Sequence, residues 1–359
     1  MSTLFNVPSR EPIRFGNPHT VSVSLPKMQN VKERAKMKDG FSFSSQNPFV
    51  TQLNGFIKEK YCIDKGKKLI PIASIKAKNI LEDGLGVTFD YIEDDYENVF
   101  LVIGSEDVNE KRYIDFIHDA GLMISSRKAE SSLLQCNVID SLYPEENLSF
   151  VQSICNIHRV LGKAYATSTN NIVLCNSGMN ALFAATVAIL SRQKKLGKTI
   201  TVQLGWLEAG TIEITEIDKT HIQIAIFDLE HLENWLQDHH ENVAVLVTEI
   251  DTNPLLPCVD LPRLYELCSR FSVKLIVDNI IVCSDCINPL PYCDIVVERL
   301  NGNVDLLFGA IVLKDTSLIS KIYDNVIFPF DGEIKRLGLE ILAYEDRVTR
   351  TPENTVLLH

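Results

Sequence analysis

The 359-residue chain contains no apolar run approaching the roughly 18 residues that a membrane-spanning helix requires. Nor does it open with the basic and apolar blocks of a secretory signal. With 14 prolines and 17 glycines it has too little of either for a collagen-like or low-complexity chain, and 45% hydrophobic residues exclude a wholly disordered one. No internal repeat is present. Cys283, Cys286 and Cys293 have a metal-like spacing, but no second C-x2-C or H-x3-H pair follows, so no metal is expected. The nine cysteines are an odd number and sit mostly in apolar stretches, where a thiol packs as a small hydrophobe. A soluble, cytoplasmic protein without a membrane role is the expectation.

The formal net charge of −12 is unevenly spread. Residues 1–80 hold 14 Lys/Arg against 5 Asp/Glu, and the remainder holds 21 against 42. The lysines of the basic segment are scattered and carry no nucleic-acid-binding signature. Charge complementarity favours packing of this arm on the acidic remainder, of its own chain or of a twin subunit, and no nucleic-acid partner is expected.

Residues 1–145 read as an extended, proline-punctuated arm followed by an N-terminal α/β segment. HTVSVSLP in the arm alternates as a strand does, VTQLNGFIKEKY fits a helix, and NVFLVIGS is a buried strand. The acidic stretch Asp90 to Glu97 reads as a solvated loop. Over 146–312 the pattern becomes regular, apolar strands such as NIVLC, KLIV and DIVV alternating with amphipathic helices such as SFVQSICNIHRVLGKAYA. That alternation predicts an α/β fold, a mostly parallel sheet between helices. Residues 313–359 leave room for one or two further helices.

Open α/β sheets bind ligands beyond the carboxyl ends of their strands. Three such ends draw attention. At Asn176-Ser177-Gly178-Met179 a strand turns directly into a helix, whose free N–H groups and dipole suit a phosphate. Asp278-Asn279 closes KLIV, where a carboxylate can accept a proton from a ring nitrogen or simply cap a turn. Asp251-Thr252-Asn253-Pro254 closes VLVTEI, where Asn253 can point into the same crevice or serve turn geometry alone.

The order and spacing of these motifs resemble the cystathionine γ-synthase group of Cys/Met-metabolism enzymes, which depend on pyridoxal phosphate and have the aspartate-aminotransferase-like fold type I. The matching segments are NIVLCNSGMNALFAA, EIDTNPLLPCVDLPRLYELCSRFSVKLIVDNI and DIVVERLNGNVDLLFGAIVL. FGNPHTVSVSLPKM and VFLVIGSEDVNEKRYIDFIHDAGLMISSRKAE resemble the fungal-type subgroup, and the likeness runs from about residue 10 to residue 357. It implies that Ser177, Gly178 and Met179 hold the cofactor phosphate and that Trp206 stacks on the pyridine ring. It further implies that Asn253 approaches the ring hydroxyl and that Asp278 pairs with the ring nitrogen, making the ring an electron sink. Arg127 would reach across a subunit interface to a neighbour's phosphate, which implies a homodimer or higher oligomer.

Two features of the family are missing from the pattern. Its cofactor-linking lysine belongs in a Ser-x-Thr-Lys segment after DIVV, but here Glu298, Arg299, Leu300, Asn301 and Gly302 follow. An ungapped alignment puts Glu298 at the lysine position. Arg299, the nearby cation, stays protonated and cannot act as a nucleophile. RVTRTPENTVLLH resembles only the helix leading into the family's C-terminal domain, so the arginine that domain supplies to the substrate carboxylate is expected to be absent.

The expectation is therefore a degenerate relative with little or no γ-replacement activity, retaining non-covalent pyridoxal phosphate at most. The alternatives are a partner subunit that completes a full-length homologue, and an enzyme running lysine-independent chemistry with Glu298 or His158 as acid/base.

Overall fold

Two sheets organise the chain, which the computed structural model describes over residues 18–19, 47–146, 148–205, 221–224, 228–250, 259–279, 288–300 and 306–343. The smaller sheet holds β1 (Lys67–Ile72), β2 (Asp90–Glu93) and β3 (Val99–Gly104), antiparallel in the order β1-β3-β2. β2 is a correction to the solvated loop expected at Asp90 to Glu97. Its DYIE sequence is polar because it forms an edge, with only Ile92 turned partly inward. The turn after it is closed by Asp94, whose carboxylate accepts the N–H groups of Tyr96 and Asn98. Helices α1 (Pro48–Lys60), α2 (Ile75–Leu85), α3 (Glu110–Asp119) and α4 (Ser126–Gln135) surround this sheet. Of the alternating arm segment HTVSVSLP, only His19 lies within the described residues.

The larger sheet has seven strands. They are β4 (Ile172–Cys175), β5 (Ile200–Leu204), β6 (His221–Ile224), β7 (Val243–Glu249), β8 (Lys274–Asn279), β9 (Ile295–Arg299) and β10 (Gly309–Leu313). Their order is β4-β10-β9-β8-β7-β5-β6, and every pairing is parallel except those made by β10. The α/β class and mostly parallel sheet read from the sequence are thus observed. β10 could not be oriented from its apolar composition, because strand direction is set by pairing and not by residue type.

Near-continuous apolar strands such as VAVLVTE require cover on both faces. On one face lies α6 (Gly178–Gln193), whose GMNALFAATVAILSRQ sequence is apolar nearly all round because it sits between the large sheet and the N-terminal segment. A single core there joins Ile72, Leu101 and Leu122 to Ala185, Val247, Ile276 and Val297. On the other face pack α5 (Phe150–Ala164), α7 (Leu229–His239), α8 (Leu261–Arg270) and α10 (Asp331–Glu340), sharing a core with Leu174, Leu204, Val277 and Val296. The short α9 (Ile319–Asn325) lies on the α6 side.

Asn180, fully buried in the first turn of α6, fastens three segments. Its amide nitrogen donates to the carbonyls of Ala120 and Asn325, and its oxygen accepts the Ile327 N–H at 2.8 Å. An Asn180→Ala variant strands that N–H and should cost about 2–4 kcal/mol of stability, measured by urea unfolding.

Candidate functional site

Six parallel strands and one antiparallel strand bring particular residues to one edge. β10 starts at Gly309, which pairs with Cys175 at the end of β4 and with Arg299 at the end of β9. A methyl at Gly309 would collide with the backbone of Ser177 and Gly178, so glycine is what allows β10 to start directly beneath the α6 N-terminus. Ser177 caps that helix, its hydroxyl accepting the Asn180 N–H at 3.0 Å. Gly178 is buried and Met179 partly buried, and their N–H groups have no intrahelical acceptor. Of the sequence-predicted site residues, Trp206 and Asn253 lie outside the described residues, as do Cys283 and Cys286. Cys293 is fully buried, and burial raises its thiol pKa.

Alternation along the strands sorts the rest onto two faces. In the β8–β9 register Asp278 opposes Val297 and Asn279 opposes Glu298. Asp278, Val297 and Arg299 therefore share the α6 face, while Asn279 and Glu298 share the opposite one. The contacts agree. Arg299 Nη2 donates to Asp278 Oδ2 at 2.8 Å, with Asp278 fully buried and the arginine side chain 11% exposed. The Arg299 stem crosses Gly178 so closely that a methyl there would overlap Cγ. On the other face Asn279 donates to Glu298 Oε2 at 2.9 Å, and the buried Tyr165 hydroxyl donates to the same oxygen.

This placement corrects the alignment-based view of Glu298. Its side chain faces away from Asp278 and Gly178 and ties the end of α5 to the sheet. The residue that shares the site with Asp278 is Arg299. His158 is corrected likewise. It lies on α5, on the Tyr165 side of the sheet, beside the backbone of Thr169 before β4, where burial lowers its pKa against the pull of that hydrogen bond. Neither residue is placed to move a proton over Asp278. Tyr165 and the buried Glu249, whose Cα pairs with Asp278, were not singled out in the sequence. Nothing in a strand end or a helix end signals such partners before the register is known.

Arg127 is buried and turned into its own chain. It is bidentate on Glu145, at 2.8 and 2.6 Å, and its third nitrogen donates to Glu333 on α10 at 3.0 Å. The contact links α4 to a helix about 200 residues further on. The reach to a neighbouring subunit's phosphate would require breaking these bonds. Beside it, His19 of the arm contacts the Ser126 hydroxyl and Glu130.

Burial alone would raise the Glu145 carboxyl, but the hydrogen bonds and charge of Arg127 hold it below its usual range. Glu333 goes the other way, burial pushing it up to about 7 against Arg127 and Ser125. The folded chain keeps this proton up to about pH 7, whereas the unfolded chain releases it near 4.5. Stability from this group is therefore fully present below about 4.5 and is lost as pH rises through 7. In Glu333→Gln that decline should disappear, seen as a urea midpoint that changes less between about pH 5 and 8.

Removing the partner of a buried carboxylate costs about 3–5 kcal/mol, so Arg299→Ala should destabilise strongly. Gly178→Ala should cost about 1–3 kcal/mol through overlap with the Arg299 stem. Combined with Arg299→Ala, the glycine substitution should cost far less than alone, and a double-mutant cycle reads that coupling.

Among the described residues no group of three His, Cys, Asp or Glu is placed to hold a metal, and no helix is long and apolar enough to cross a membrane. Among solved structures, the chain is similar to cystathionine γ-synthase from Xanthomonas oryzae pv. oryzae, with 18% identity, a TM-score of 0.47 and coverage of 57% of this chain and 58% of that one. It is 29% identical to the L-2-amino-4-chloropent-4-enoate dechlorinase/desaturase of Streptantibioticus cattleyicolor, over 67% of this chain and 51% of that protein. To the cystathionine γ-synthase of Neurospora crassa it is 32% identical, over 51% of this chain and 32% of that protein. The chain thus spans about half or less of the length of these curated relatives. Residues 156–356, more than half of the chain, match the Cys/Met metabolism PLP-dependent enzyme family, and to that family the chain belongs.

Proposed function

We propose that this chain is a cystathionine γ-synthase-like protein of sulfur amino-acid metabolism that has lost covalent cofactor chemistry, with little or no γ-replacement activity. The observation that carries the reading is the distribution of lysine around β8, β9 and β10. No lysine occurs between Lys274 and Lys314. Lys274 opens β8 and pairs with Asp294, while Lys314 follows β10 and binds the Pro291 carbonyl and the Tyr265 hydroxyl. Because β10 runs antiparallel, both ammonium groups belong to the amino edge of the parallel strands, the edge opposite Asp278 and Gly178.

An amine there could neither bond the cofactor nor abstract a proton above its ring. Bound pyridoxal phosphate supplies an electron sink in this family. In this chain the residues at the site fit that role poorly, since Asp278 is already engaged by Arg299. Lysine-independent acid/base chemistry is disfavoured by the orientation of Glu298 and His158. The described cysteines Cys62, Cys136, Cys155, Cys175, Cys268 and Cys293 are all free, which supports the reducing cytoplasm as its location. The reading extends to an oligomer, either of this chain or with a full-length homologue.

Purified protein mixed with pyridoxal phosphate and treated with borohydride should yield no stoichiometric adduct at a single lysine by peptide mass spectrometry. A one-to-one adduct with its own absorbance band would sink the proposal.

A further inference from the structure

We propose that Arg299 is a built-in occupant of the cofactor pocket, excluding pyridoxal phosphate from it. The inference deepens the reading above and rests on it for where a cofactor would sit. Its own basis is the path of one side chain. Arg299 leaves β9 on the α6 face, its stem passes over Gly178, and its guanidinium ends on Asp278. It spans the interval from a helix N-terminus suited to a phosphate to a carboxylate suited to a ring nitrogen.

Three physical points support the occupancy. The Asp278 carboxylate is fully buried, so it needs a cation, and the guanidinium provides one from within the chain. The pair is nearly desolvated, with 11% of the arginine side chain and none of the aspartate exposed, so an entering ligand would have to strip away a bond that water screens little. The stem is in contact distance of Gly178, and the absence of a side chain there leaves room for the arginine instead of for a phosphate. A pyridinium that bonded the same Asp278 oxygen would have to displace the guanidinium from it.

The test uses 4′-deoxypyridoxine 5′-phosphate, which keeps the ring nitrogen and phosphate but has no aldehyde to react with surface lysines. Equilibrium dialysis should show the wild-type chain binding it at least about tenfold more weakly than Arg299→Ala, equivalent to about 1.4 kcal/mol. Arg299→Gln keeps a polar side chain and most of the stem while removing the charge, so it guards against a variant that does not fold, and it should also gain affinity. Adding Asp278→Asn to either variant should abolish the gain. Wild-type binding as tight as that of the variants would overturn the proposal while leaving the lysine reading intact. So would variants with wild-type circular dichroism that bind no better. Trapping of a stoichiometric lysine adduct in the wild-type chain would instead overturn the lysine reading.

Discussion

The alternation of side chains along β9 decides what this site can be. One residue separates Glu298 from Arg299, and that step sends one to Tyr165 and the other to Asp278. Because the strand is paired on both sides, by β8 in parallel and by β10 in antiparallel register, it cannot slip to exchange them. A one-residue shift would bury Glu298 against Gly178 and turn Arg299 into an apolar core. The chemistry available at the carboxyl edge therefore follows from backbone pairing as much as from composition.

The same edge shows how tightly the site is enclosed by its own scaffold. Ser177 caps α6, Gly309 lies beneath it, and Asn176 and Asn180 draw the loops at Gly121 and Ile327 over the first turn. A helix start capped and tied down in this way holds its geometry without a ligand. In many binding sites a buried charge waits for a partner, at a cost in stability. Here Asp278 has one already, which relieves that cost and removes the incentive to bind a cationic ring.

A second polar cluster ties α4 to α10, two helices far apart in the chain. Arg127 on α4 meets Glu333 on α10, and Ser153 of α5 lies against Gly338, where any larger residue would force the helices apart. The arm enters the same region through His19. His19 is thus one contact between the arm and the rest of its own chain.

Much of this was legible before folding. Apolar strands alternating with helices gave the α/β class, and the junction at Ser177-Gly178 and the emergence of Asp278 from KLIV marked strand ends that meet at one edge of the sheet. The absence of lysine between Lys274 and Lys314 was equally plain, because residue identity needs no coordinates. β2 was not legible, since an exposed edge strand carries polar residues like a loop. That Glu298 turns to Tyr165 and Asn279 was not legible either, because an ungapped alignment counts residues and ignores which side of a sheet each one takes. The pairing of Arg299 with Asp278, the inward turn of Arg127 and the role of Tyr165 were decided by tertiary structure alone. Each depends on strand register or on contacts between segments 20 to 200 residues apart, and local sequence carries no record of such distances.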